Sequence, residues 1–343
     1  MLWYNSRIND FDSSFFNIER GDVRTMEQNK EGMNLSEIFY AIKTYQAGKE
    51  KKEAYGIANA FMHAIKADKS CLVLFQIKEH NGKKEKFFVM MKDKNGDPMF
   101  PFFTDREKAL AVKQGMDKNG QVEIGTLKLK ELFLMFRDQK MCKSAIVNPF
   151  QQNFHAQVPF YINLLDKEPV SHITLIEANY MDIHADAIVC PTDQIISGSS
   201  ELEQMIFSAA GEEFETTLRE KWGDQTLNAA DVVAVESNAA LHSKYIFFTG
   251  LPEFSWELEP EVVFEFYANA MNGAKAMECS SIAFPCTSGF MKGMPAEVVI
   301  GASTKAVTRW LANNPDVAIE VYFCCDSSSE VATYQTYFEG IKK

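Results

Sequence analysis

The chain has 343 residues, 46% hydrophobic, 12% aromatic and 24% charged, which excludes a disordered or fibrous class and is long enough for two cores. No apolar run approaches the roughly 18–20 residues of a membrane span, so no membrane partner is expected. The net charge of −12 is divided unevenly, with 25 Lys+Arg against 20 Asp+Glu up to residue 150 and 10 against 27 beyond it; the acidic half is ill suited to a nucleic-acid backbone and suits a basic protein partner.

Residues 1–33 mix charges and aromatics without a sustained period and are expected to form an N-terminal arm. From Asn34 the spacing of Leu35, Ile38, Phe39 and Ile42, then of Ile57, Phe61 and Ile65, predicts two helices. CLVLFQIK and KFFVMMK read as strands joined by HNGKKE, and MFPFF as a third extended run. Thr104 with Glu107 has the spacing of a capping box ahead of a helix over REKALAVKQ. VEIGTLKL (strand), KELFLMFRDQ (helix) and KSAIVNPF (strand) complete an α+β unit over 34–155. The stretch 156–170, with no clear period, is expected to be a linker.

Over 171–343 short apolar strands alternate with amphipathic helices. The strands are HITLIEA, ADAIVCP, DVVAVES, KYIFFTG, SSIAFPC and AIEVYFCC; helices follow the second, fourth, fifth and sixth of them. That alternation predicts a mostly parallel sheet covered on both faces. Ligands of such sheets bind outside the strand C-terminal ends, where loops lead into helices. Three stretches occupy such positions: 190–204, 286–295 and 324–329. Gly198, Ser199 and Ser200 could offer amides and hydroxyls to an anion, as could Ser288, Gly289 and Gly293; the same residues are also ordinary turn and N-cap choices. Lys292 could meet a phosphate or point into water.

The seven cysteines, an odd number spread along the chain, fit free thiols of a reducing compartment better than a disulfide framework. Cys190, Cys286, Cys324 and Cys325 fall at strand ends, but no ligand spacing accompanies them, so no metal or other cofactor is expected. The first residues lack a basic stretch leading into an apolar one, and a cytoplasmic protein is expected.

ADAIVCPTDQIISGSSELEQMIFSAAG, from Ala185 to Gly211, and IAFPCTSGFMKGMP, from Ile282 to Pro295, resemble the two motifs of the macro domain family. That family binds ADP-ribose, and some members hydrolyse ADP-ribosyl bonds. The resemblance implies a three-layer α/β/α domain with a mixed, mostly parallel sheet, and an ADP-ribose-like small molecule as ligand. Ligand contacts would then map onto Asn179, Cys190, Asp193, Gly198, Ser199, Ser200, Ser288, Gly289, Phe290, Met291, Lys292, Gly293 and Cys325. Several of these depart from the family pattern: Cys190 and Asp193 stand at two asparagine positions, Ser199, Ser200 and Glu201 replace glycines, and Phe290 replaces the glycine of the second loop. Glu203 falls where hydrolytic members carry the aspartate that helps position or activate water; the reading preferred for the same residue is a first-turn acid favourable to the helix dipole.

FFVMMKDKNGDPMFPFFTDREKALAV, followed by IVNPFQQNF, resembles the SseB-type N-terminal domain of the enhanced serine sensitivity family, through Phe103, Thr104, Glu107, Ala109, Asn148 and Pro149. That likeness implies an interaction or scaffold role. The expected protein is therefore an α/β chain joining an SseB-like α+β domain to a divergent macro-like domain that binds a nucleotide-like or other anionic ligand. The alternatives are an ADP-ribosyl hydrolase using Glu203, or an interaction protein with a vestigial pocket.

Overall fold

A computed structural model describes residues 35–48, 55–80, 83–117, 119–222, 225–238, 241–251, 260–285 and 294–341. The arm 1–33 and residues 286–293 of the second motif, with Cys286, Ser288, Gly289, Phe290, Met291, Lys292 and Gly293, lie outside the described residues. The chain forms two compact units: one takes residues up to Ile42 and Ala60–Glu168, the other Lys43–Asn59 and Pro169–Lys343.

In the first unit β1 (Ser70–His80) pairs antiparallel with β2 (Lys83–Phe88) and β5 (Val122–Lys128). A second sheet runs β3 (Met91–Lys92), β4 (Pro98–Phe102), β6 (Ser144–Val147), β7 (Phe154–Gln157). The helices α3 (Arg106–Met116), α4 (Leu129–Gln139) and α5 (Val158–Ile162) belong to the same unit, and Tyr161 of α5 is fully buried against Phe61, Phe102, Phe133 and Phe136. The expected linker at 156–170 is thus corrected: its first half closes a sheet and fills a core. The helix start also differs by one residue. Asp105 is the N-cap of α3, accepting from the Lys108 amide at 3.1 Å. Thr104 is instead buried, its amide donating to Asn148 Oδ1 at 3.0 Å and its hydroxyl accepting from Asn148 Nδ2 at 2.9 Å.

The second unit is built on six strands in the order β10, β11, β9, β12, β13, β8: β8 (His172–Glu177), β9 (Ala187–Thr192), β10 (Val232–Glu236), β11 (Tyr245–Gly250), β12 (Ser281–Phe284) and β13 (Glu320–Cys325). Only β10 runs antiparallel. Every residue of β9 and β13 is buried, as interior parallel strands require, whereas β10 at the edge alternates. The side chains of Ile188, Cys190, Ile246 and Phe248 join one core with α6 (Glu201–Ala210) and α7 (Glu212–Trp222). Val189, Phe247, Phe284 and Phe323 join the opposite core, with α8 (Pro260–Ala276), α9 (Ala296–Asn313) and α10 (Ser328–Ile341). The stripe Val263, Phe266, Tyr267, Ala270, Met271 and Ala274 shows why α8 is a helix here: i, i+3, i+4, i+7 spacing buries one face. The result is the expected three-layer α/β/α arrangement.

Residues 43–48 at the end of α1 (Ser36–Ala47) and 55–59 at the start of α2 (Tyr55–Lys66) are tied into the second unit by long-range bonds. The Thr44 hydroxyl donates to the His184 carbonyl at 2.6 Å and accepts from the His184 amide at 2.8 Å. Asn59 Nδ2 donates at 3.0 Å to Glu320, a buried carboxylate that also accepts from the Thr174 hydroxyl at 2.6 Å.

Candidate functional site

The parallel strands all end at one edge of the sheet, which brings Asn179, Cys325 and the loop after Thr192 to the same side of the molecule. From β9 the chain leaves into α6 on one face; after β12 it reaches α9 on the other. Such a reversal at neighbouring strands leaves a crevice outside their C-terminal ends. Here the two strands also part early. Their pairing covers only Ile282 with Ala187 and Ala283 with Ile188, while β11 pairs with β9 over all six residues from Ala187 to Thr192.

Beyond those two pairs the Tyr180 hydroxyl sits between the strands. Tyr180 belongs to a 3-10 turn, Tyr180–Asp182, whose N-cap Asn179 accepts from the Met181 amide at 3.0 Å. The hydroxyl accepts from the Val189 amide at 2.9 Å and is within donating distance of two carbonyls, that of Val189 at 2.8 Å and that of Ala283 at 2.9 Å. Burial pushes its ionisation well above the ordinary range of a phenol, with smaller contributions from Cys190 and Cys324, so the hydroxyl stays neutral.

The first loop, 193–200, is held at both ends. The Leu251 amide donates to the Thr192 carbonyl and the Leu227 amide to that of Gln194, each at 2.7 Å. Ser200 is the N-cap of α6, and with Glu203 it forms a reciprocal capping box: the Glu203 amide donates to Ser200 Oγ, and the Ser200 amide to Glu203 Oε2, both at 3.1 Å. The other Glu203 oxygen accepts from the Thr192 hydroxyl. Glu203 is fully buried with both oxygens engaged, which makes it a strut between the end of β9 and the start of α6. Gly198 takes a φ of +75°, and a side chain there would start 3.0 Å from the Phe207 ring, so glycine serves the turn twice over. Arg219 of α7 donates to the Ser197 carbonyl at 3.0 Å while its guanidinium holds Glu215 at 2.7 Å.

Residues named from the sequence fall into three groups. Gly198, Ser199, Ser200 and Asp193 share the loop, where the Ser199 hydroxyl donates to Asp193 at 2.9 Å. Asn179 is exposed at the end of β8, its side-chain oxygen committed to the cap. Cys190 and Cys325 are buried on opposite faces of the sheet, and burial raises the Cys190 thiol well above its usual range, with Glu203 adding to the effect. Cys190 and Cys324 lie two strands apart, on β9 and β13 with β12 between them. Among the described residues no group of three or more His, Cys, Asp or Glu could hold a metal ion, and no helix is long and apolar enough to cross a membrane.

Residues 189–302 match the macro domain family. The matched stretch opens on Val189, beside the Tyr180 hydroxyl, and contains the whole loop 193–200. Among curated relatives, the macro domain-containing protein RSc0334 of Ralstonia nicotianae is 27% identical over 172 residues, covering 49% of this chain and 96% of its own. The GDAP2 homolog of Drosophila melanogaster is 25% identical over 189 residues, covering 53% of this chain and 32% of its own length. Among solved structures, the Oceanobacillus iheyensis macrodomain with ADP aligns at 20% identity and a TM-score of 0.45, covering 50% of this chain and 92% of that one.

Sequence reasoning named Glu203 and the loop but missed Thr192, Tyr180 and Arg219. Proline was the available signal for the seam: Pro191 and Pro285 stand in or beside interior strands, where a residue without an N–H is normally excluded.

Proposed function

We propose that the macro domain is a binding module for a small anionic, nucleotide-like ligand of the ADP-ribose class, seated at the mouth between the ends of β9 and β12. The observation that carries this reading is the parted seam, with α6 and α9 leaving it on opposite faces. The cap of α6 leaves first-turn amides over, and such amides favour an anion. Titration calorimetry with ADP-ribose tests it: saturable heat supports the reading, and no heat up to millimolar ligand removes it.

Hydrolysis of ADP-ribosyl bonds with Glu203 as base is the second reading. A base must reach its proton directly or through one water, and a fully buried carboxylate with both oxygens engaged is badly placed to do so. Turnover of a mono-ADP-ribosylated protein by the unaltered chain would reverse this ranking. The SseB-like role of the first unit, a basic protein partner for the acidic half and a cytoplasmic location belong to the same proposal. A pull-down whose yield collapses with added salt would favour the charged partner.

A further inference from the structure

The seam between β9 and β12 has a cause in the backbone chemistry of two prolines. In a parallel pair, the N–H and C=O of one residue point to the same side, and successive residues alternate sides. Val189 faces β12, because both its amide and its carbonyl meet the Tyr180 hydroxyl beside Ala283. Pro191, two residues on, faces the same way. Continuing the pairing past Ala283 and Ile188 would need three bonds in succession: the Val189 amide to the Ala283 carbonyl, the residue 285 amide to the Val189 carbonyl, and the residue 191 amide to the residue 285 carbonyl. Residues 285 and 191 are prolines and have no N–H. The second and third bonds are impossible, so the Val189 carbonyl would be left buried without a donor, at a cost of roughly 1–3 kcal/mol. A neutral hydroxyl accepts from one group and donates to another, which matches the amide and carbonyls left at this point.

We infer that Tyr180 is a positioning residue whose hydroxyl stands in for the missing ladder bonds, holds the C-terminal ends of β9 and β12 apart, and thereby sets the width of the ligand mouth. The ligand part of this inference rests on the binding reading above; the spacer part does not. It also gives the 3-10 turn at 180–182 a purpose, since the turn delivers a side chain from the end of edge strand β8 to the centre of the sheet. The motif residues Pro191 and Pro285 then act with a tyrosine that no motif contains.

Two variants in the full chain test it: Tyr180→Phe, which removes only the oxygen, and Tyr180→Phe with Pro285→Ala, which returns the missing N–H. Amide hydrogen exchange is followed at Val189 and, as an internal control, at Phe248 on the β9–β11 side, together with ADP-ribose affinity. In the single variant Val189 is expected to exchange about tenfold or more faster, the effect of losing one buried bond, with Phe248 unchanged. In the double variant the residue 285 amide reaches the Val189 carbonyl, the ladder closes and protection at Val189 returns, while ADP-ribose affinity stays at least about tenfold below that of the unaltered protein. Unchanged Val189 exchange in the single variant would overturn the spacer. Recovery of affinity together with protection in the double variant would show that Tyr180 only stabilises the sheet, and would overturn the positioning role. If the unaltered protein binds no ADP-ribose, the binding reading fails, and the exchange arm alone decides the spacer.

Discussion

Replacing Glu203 separates a structural carboxylate from a catalytic one. In the Glu203→Gln variant the amide oxygen can still accept from the Ser200 N–H, while the NH2 group faces Thr192, whose hydroxyl rotates from donor to acceptor. The losses are one charge-assisted contact and a favourable charge in the first turn of α6, together about 1 kcal/mol. Glu203→Ala leaves the buried Thr192 hydroxyl and the Ser200 amide without partners and opens a small cavity, a cost of about 3 kcal/mol or more. In a unit of this size each kcal/mol moves the melting point by roughly 2–4 °C, so the alanine variant should melt about 6–12 °C lower and the glutamine variant only about 2–4 °C lower. Differential scanning calorimetry of the full chain reads both. An alanine variant as stable as the unaltered protein, but with an ADP-ribosyl hydrolase activity abolished, would refute the strut.

Three further outcomes follow from backbone conformation and burial. Gly198→Ala, at φ +75° and 3.0 Å from the Phe207 ring, should cost about 1–2 kcal/mol in thermal unfolding and weaken any ligand of the loop. Lys140, exposed in the left-handed region at the C-cap of α4, should give up to about 1 kcal/mol of added stability when changed to Gly, a gain visible in a denaturant midpoint. His184 is held down to about 3 by burial, with His242 stacked 4.0 Å away and Lys43 adding to the effect. Its folded value lies below that of the unfolded chain, so the neutral ring's contribution is complete above about pH 6.5 and is lost as pH falls towards 3, by up to about 1.4 kcal/mol per pH unit. His184→Gln should flatten that acid limb of the stability curve; an unchanged slope would sink the assignment.

The sheet of the second unit was legible because its interior strands, such as AIVCPT and EVYFCC, are continuous apolar runs set between amphipathic helices. The stretch after residue 150 was not. FHAQ is a four-residue strand with alternate residues exposed, and VPFYI is one turn of helix; neither is long enough to reveal a period. Glu203 could be placed in a first turn from Ser200 alone, but its burial depends on Thr192, eleven residues earlier, and on strand ends that local pattern does not join. The helix start was expected to be capped by Thr104, but Asn148, 44 residues away, claims Thr104 and the cap is Asp105. Helical spacing identified the segments flanking 49–54 without saying which core each end would join.

That last feature makes the order of synthesis matter. The chain passes from the first unit to the second, back, and out again, so no single cut between 156 and 170 yields two complete pieces. A fragment beginning at Pro169 would lack the Thr44 hydroxyl for the His184 backbone and the Asn59 amide for the buried Glu320 carboxylate. During translation Thr44 and Asn59 leave the ribosome early and must wait for partners 140 and 261 residues downstream. Contacts of such separation are the slow ones to form, and they make the second unit dependent on residues far outside the stretch 171–343.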